Sequence, residues 1–292
     1  MATILDGISG RFCNQIFRGC CVSLLAEKNN LMVIYKGKYF NEIINILGLK
    51  LFSGENTFSA VKMVKQSNIL SLLSSNVKIE AKLIGINKPF FQKDHLSNIT
   101  YEYIRREDIK RNLINSNPFK NRFDNNNDIF LHIRLRDVKK YNPGLEYFKK
   151  TINKISNYDR IFIGTDEPMD RTIIRKLLSD YKNIELLDLD SIQTIQFGCA
   201  CKHLVVSHGT YSAIVSYMAY YSDIYYCCVD NNGWCPMELF HNKGFIPIKH
   251  PNEEEFNETV MRKCKKKNKI NGNGIMTQEQ REEIKRKLQY KI

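Results

Sequence analysis

The sequence predicts an α/β fold built on a doubly wound, mostly parallel sheet, and three observations carry that expectation. From residue 127 onward, short β-rich apolar runs alternate with longer segments in helical spacing, the pattern of successive βαβ units. The first residues open the same way, with a strand, a glycine-bearing loop and a helix. Polar and charged residues gather just after the strands, where open α/β sheets bind their ligands.

Taken in order, ATILDG (2–7) reads as a strand, GISGR as a loop, FCNQIFRGCCVSLLAEKN as a helix and LMVIYK as the next strand. A first α/β domain is expected over 1–125, and the polar stretch NSNPFKNRFDNNND (115–128) is a natural linker or crossover. DIFLHIR (128–134) is a strand, and LEYFKKTINKI (145–155) a helix with Leu145, Phe148, Ile152 and Ile155 on one face. RIFIGTD (160–166) is a strand, after which Pro168 suits the first turn of the helix PMDRTIIRKLLSDY. IELLD (184–188) is a short strand and SIQTIQFGCACK a helix begun by Ser191. HLVVSHG (203–209) is a strand, TYSAIVSYMAYYS a helix and DIYYCCV (223–229) a further strand. A Rossmann-like domain is therefore expected over 126–250. The tail, 251–292, runs from acidic to basic (MRKCKKKNK, 261–269), then NGNG and a helix with a capping box at Thr277 and Gln280.

Composition narrows the class. The 292 residues are 43% hydrophobic and 26% charged, ordinary values for a globular chain, which exclude collagen, coiled coil and small disulfide scaffolds. The net charge of +13 leaves three partners open: nucleic acid, an acidic membrane surface, or a phosphorylated small molecule. The tail carries +4 of it, leaving +9 for the globular part. Nine cysteines without a C-x-x-C pair, and no histidine cluster at zinc spacing, read as free thiols of a reducing cytosol with no metal site. No secretory signal opens the chain, and the longest uncharged stretch (204–222) is too polar for a lipid-facing helix, so a soluble cytoplasmic protein is expected.

The residues after three strands define a candidate site: His132, Arg134, Arg136 and Asp137; Thr165, Asp166 and Glu167; and Ser207, His208, Gly209, Thr210, Tyr211 and Ser212. The last group leads into a helix N-terminus, whose amides, hydroxyls and dipole suit an anion. Arg134 offers a planar fork for phosphate, and Asp166 an acceptor for a purine edge or ribose hydroxyls. Taken singly, H-x-R-x-x-D also reads as a structural ion pair, T-D-E-P as a helix start and S-H-G-T-Y-S as turn chemistry. Three such groups on one sheet edge point to a nucleotide or nucleotide-sugar pocket. Neither G-x-x-x-x-G-K-[ST] nor a strand-linked G-x-G-x-x-G occurs, which argues against triphosphate hydrolysis and nicotinamide chemistry.

GRFCNQIF (10–17), HIRLRD (132–137), LEYFKKTI (145–152), IFIGTDEP (161–168) and VSHGTYSAIVSYMA (206–219) resemble, in this order, the motifs of fucosyltransferases. The similarity is closest to the α-1,2-fucosyltransferases of glycosyltransferase family 11 and spans about residues 4–228. The resemblance implies a GT-B-like architecture, two Rossmann-like domains facing a cleft, with the helical tail appended. It implies an inverting, metal-independent enzyme without cofactor, taking GDP-β-L-fucose as donor and a glycan or glycoconjugate as acceptor. By position, Arg134 would bind the diphosphate, His132 and Asp166 the guanine or ribose, and Thr210 and Ser212 the phosphate oxygens. Asn14 and Gln15 would sit across the cleft, near fucose and diphosphate. Ser207, His208 and Tyr211 complete the donor set.

Two positions depart from the family pattern: Leu135 stands where H-x-R-R-x-D has its second arginine, with Arg136 one place later, and Cys13 stands where glycine is usual. Without a metal, leaving-group charge must be met by Arg134, with Arg136 or Arg18, and by the helix end before Thr210. Asp137 and Glu146 are the nearest candidates for the general base, and Asp6 a weaker one. Other nucleotide-deoxysugar donors, an inactive sugar-binding relative and a basic nucleic-acid-binding protein are the alternatives. The last predicts basic residues interleaved with aromatics, whereas the dense basic run 262–269 has none.

Overall fold

In β1 (Thr3–Asp6), Thr3 and Leu5 are buried while Ile4 is exposed, the alternation of a strand with one covered face. The computed structural model describes residues 1–7, 10–87, 91–92, 94–136, 142–166, 171–228 and 239–251. Asp137, the helix start at Pro168, Cys235, Cys264 and the tail helix with its Thr277 cap lie outside the described residues.

α1 (Phe12–Asn29) is buried on nearly every side, from Phe12 and Cys13 through Cys20 and Cys21 to Ala26, as a central helix must be. It ends at Asn30, whose left-handed φ of 50° is one that asparagine tolerates. β2 (Val33–Lys36) pairs in parallel with β1, and α2 (Lys38–Asn41) follows. Beyond it, β3 (Val61–Met63), α3 (Ile69–Ser74) and β4 (Lys82–Ile84) form a second parallel pair. The two pairs meet where the Leu83 backbone N–H donates to Thr3 Oγ1 at 3.1 Å, so β4 lies beside β1 while each pair remains its own two-stranded sheet. α4 (Asp94–Arg105) and α5 (Glu107–Ser116) close this half, with α3 and α4 both packed on α1.

The second half holds β5 (Ile129–Ile133), α6 (Leu145–Ile152), β6 (Ile161–Thr165), α7 (Arg171–Asp180), β7 (Ile184–Leu186), α8 (Ser191–Gly198), β8 (His203–Val206), α9 (Gly209–Met218), β9 (Asp223–Cys228) and β10 (Ile246–Lys249). All six strands are parallel, in the order β10-β9-β8-β5-β6-β7. That is the doubly wound order, and its direction reverses between β5 and β8. α8 begins at Ser191 as the spacing predicts, and Asp190 is its cap, accepting from the Ile192 and Gln193 amides at 2.8 Å each. α9 is shorter than the run 210–222, ending at Met218.

One apolar cluster joins the halves. α9 packs on α1 and α4, with the Tyr217 ring 6.0 Å from Phe17 and 5.3 Å from Tyr101. Asn117 Nδ2 donates to Gln196 O at 2.8 Å and Gln196 Nε2 to Ile46 O at 3.1 Å. Seven cysteines fall on described residues, six of them buried, and burial pushes Cys13 and Cys21 up to about 12. Such thiols are inert packing groups. Among the described residues no helix is long and apolar enough to cross a membrane.

Candidate functional site

The reversal between β5 and β8 opens onto a cavity of about 540 Å³ whose far wall is the start of α1. It is lined by Gly10 through Asn14 and Tyr39 from the first half, and by His132, Arg134, Thr165, Asp166, Thr210 and Tyr211 from the second. Leu189, Ser191 and Thr194 complete it. Strand-end loops and a helix N-terminus converge here because a parallel sheet sends every carboxyl end the same way.

Arg134 is the cation that the second half brings to the cavity wall. Its side chain is only 12% exposed, and it lies over the first residue of α9: a Cβ placed on Gly209 would stand 3.2 Å from Nη1. Gly209 has φ +89°, so glycine serves here both the backbone turn and the close approach of the guanidinium. The positive end of the α9 dipole and a fixed positive charge thus face the same space.

Asp166 holds this arrangement together. Its Oδ1 accepts from the Leu135 amide at 2.7 Å and the Arg136 amide at 3.3 Å, while Oδ2 is closed to solvent, 3.7 Å from Arg134 Nε. Asp166 thus lines the cavity while its Oδ1 positions the loop of residues 135–136. Thr165, one residue earlier, lines the cavity itself.

His132 is buried, with Nδ1 2.6 Å from Ser212 Oγ and its ring stacked on Tyr211 at 4.7 Å and 24°. The Ser212 hydroxyl also lies 3.2 Å from His208 O, one turn back on the chain. Burial, then the charges of Arg134 and His208, lower the His132 pKa to about 3, so the ring is neutral at physiological pH. The sign of the pH effect follows. An unfolded histidine takes up its proton near pH 6.5 while the folded one does not, so stability falls as pH drops below that point. Between pH 7 and 5 the loss attributable to this ring is about 2 kcal/mol, and chemical denaturation of His132→Gln should show a pH slope shallower by that amount. An unchanged slope would mean that the ring ionises in place.

Asn14 reaches the cavity from α1. Its Oδ1 accepts from Thr210 Oγ1 at 2.9 Å and from Gln92 Nε2 at 2.7 Å, a contact made across the two halves. Tyr211 lines the wall and donates its hydroxyl to Ser191 O at 2.6 Å.

Several expected residues lie elsewhere. Gln15 and Arg18 are fully buried; Gln15 Nε2 bonds Gly7 O and Gly10 O, and its Oε1 accepts from Arg18 Nη1 at 3.0 Å. They brace the loop after β1 and are not among the residues that line the cavity. Ser207, His208 and Ser212 are buried behind the wall, with Ser212 supporting His132. Arg136 is exposed, and its amide serves Asp166. Glu146 is an exposed residue of the first turn of α6, and neither it nor Asp6 lines the cavity. Asp137 lies outside the described residues.

Conversely, Arg11, Tyr39, Leu189, Ser191 and Thr194 line the cavity although the sequence reading does not single them out. The strand-end rule reaches them when it is extended to β1, β2 and β7, whose carboxyl ends they follow. Among the described residues no three His, Cys, Asp or Glu side chains come together as a metal site requires.

No protein-family model matches the chain, and no curated protein matches it. Solved structures do. The fucosyltransferase NodZ from Bradyrhizobium superposes with a TM-score of 0.50 at 10% identity, covering 77% of this chain and 94% of that one. The heptosyltransferase WaaC of E. coli, with ADP, gives 0.49 at 10% identity, covering 94% and 100%. At that identity the NodZ likeness establishes the fold, which is the GT-B-like α/β architecture that the motif resemblance implies.

Proposed function

We propose that the chain is a glycosyltransferase that binds a nucleotide-diphosphate sugar in this cavity and passes the sugar to a glycan hydroxyl. Within that class we favour L-fucose from GDP-β-L-fucose, transferred with inversion, without a metal and to an α-1,2 linkage. One observation carries the reading: Arg134 held against the N-terminus of α9 at the strand-order reversal, facing a cavity that also touches the first half. The motif resemblance supports the fucosyl choice, and the fold shared with NodZ, named as a fucosyltransferase, is compatible with it.

In this reading the acceptor oxygen attacks the anomeric carbon from the side opposite the diphosphate. The carbon–oxygen bond to the phosphate breaks, and the electron pair leaves with the nucleoside diphosphate. Arg134 and the α9 amides meet that charge as it develops. Asp166 keeps the Arg134 loop in register, and the stacked pair His132 and Tyr211 forms a neutral wall beside it. We assign the general base to Asp137, three residues beyond Arg134. Cytoplasmic location and a glycoconjugate acceptor belong to the same proposal.

Thermal-shift titration against GDP, UDP, dTDP and ADP and their sugars tests it. GDP and GDP-fucose should raise the melting temperature by on the order of 5 °C at a hundredfold excess over Kd. A response to no nucleotide sinks the transferase reading; a stronger response to a non-guanine donor removes fucose from it.

A further inference from the structure

Asn14 meets the cavity through a side-chain amide, which has two opposite characters: an oxygen that accepts and a nitrogen that donates twice. Two donors decide which of them a ligand encounters. Thr210 Oγ1, in the first turn of α9, and Gln92 Nε2, two residues before α4, both bond Asn14 Oδ1, at 2.9 Å and 2.7 Å. The carbonyl oxygen is thereby occupied. Asn14 Nδ2 has no hydrogen-bond partner among the described residues, is open to solvent, and belongs to a residue that lines the cavity.

Charge explains why one donor does not suffice. Arg134 and the positive end of α9 face the same cavity, and left to itself the Asn14 amide would turn its oxygen toward them. A hydroxyl does not prevent that, because Thr210 Oγ1 can accept from Asn14 Nδ2 as readily as it donates to Oδ1. Gln92 adds the second donor and holds the oxygen away. The residue before it is fixed firmly: Phe91 is fully buried in the core at a left-handed φ of 51°, a conformation that a bulky side chain avoids. Core packing imposes that backbone and sets Gln92 against α1. Strain of this kind recurs where a ligand site must be held in place.

We propose that Gln92 is a positioning residue for the donor: it turns Asn14 so that the Nδ2 hydrogens face an anionic oxygen of the nucleotide-sugar diphosphate. This inference rests on the nucleotide-sugar reading of the cavity. Gln92 does not line the cavity itself and acts only through Asn14. The diphosphate then meets an amide donor from the first half together with the guanidinium and helix amides of the second, and so bridges the two.

Isothermal titration of the full chain with GDP-fucose tests it. Gln92→Met keeps the length of the side chain without its donor and should raise Kd about tenfold, the size expected for a hydrogen bond to a charged group. In the Asn14→Ala background the same replacement should change Kd by less than about twofold, since the group it positions is gone. Gln92→Glu offers only acceptors at pH 8 and draws in Asn14 Nδ2, so it should bind more weakly than Gln92→Met. As pH is lowered toward 5 its carboxyl begins to take up a proton and can donate, so binding should recover relative to the wild type at the same pH. Circular dichroism reports the fold of each variant. Wild-type affinity in Gln92→Met overturns the proposal, and so does an equal loss in both backgrounds, the mark of a purely structural role. In both cases the wild type still binds GDP-fucose and the transferase reading stands. A wild type that does not bind GDP-fucose removes that premise, and the proposal falls with it.

Discussion

Replacing Arg134 by alanine should abolish donor binding and transfer together while leaving the fold intact. The guanidinium is placed against the α9 N-terminus, and among the described residues no other lining side chain in the second half carries a positive charge, Arg11 belonging to the first half. Removing such a group from a leaving-group site costs on the order of 10²–10³ in rate, and the nucleotide-induced thermal shift should vanish with it. Arg134→Lys should recover part of the binding but less of the rate, because an ammonium cannot present the planar fork. The same loss is reachable from the opposite side of the contact. Gly209→Ala sets a methyl 3.2 Å from Arg134 Nη1 at a φ of +89° that alanine resists, so it should displace the guanidinium. Steady-state kinetics with circular dichroism read both variants; a fully active Arg134→Ala would end the assignment of this cavity to the donor.

The second large effect is on stability. Phe130, fully buried on β5, is packed between two glycines. A Cβ at Gly198 would lie 2.5 Å from Phe130 Cε1, and one at Gly164 would lie 2.7 Å from Phe130 Cζ and 2.8 Å from Thr194 Cγ2. The ring cannot yield to both sides of a close-packed sheet and helix. Gly198→Ala should therefore cost about 3 kcal/mol, the upper range for overpacking, measured by urea denaturation. Phe130→Leu should cost stability alone yet recover part of the loss in the Gly198→Ala background, a coupling that a double-mutant cycle reads. A Gly198→Ala change within experimental error of the wild type would show that the ring has room to move.

Much of the site is legible in the sequence, for a physical reason. β5, β6 and β8 are apolar runs bounded by polar residues, and parallel strands must present their carboxyl ends on one edge. His132, Arg134, Thr165 and Thr210 are thus brought together from spacing alone. Asn14 is marked by a motif, and the fold joins it to Thr210 across the halves. Arg18 shows where spacing fails: the helix that carries Asn14 is buried nearly all round, so a charged residue four positions on turns into the core and bonds Gln15. Asp166 shows another limit, because its two backbone donors belong to Leu135 and Arg136, remote in sequence. A carboxylate at a strand end looks the same whether it faces a ligand or a neighbouring loop.

The sequence by itself determined the alternation of strands and helices, hence the parallel sheet and the edge on which a ligand must bind. Local periodicity and turn chemistry suffice for that, since both are written over a few residues. Tertiary structure alone decided which polar residues face the cavity and which are spent holding it. Those outcomes depend on strand order and on contacts between residues far apart in the chain, such as Leu83 with Thr3 or Thr210 with Asn14, and no local pattern encodes them.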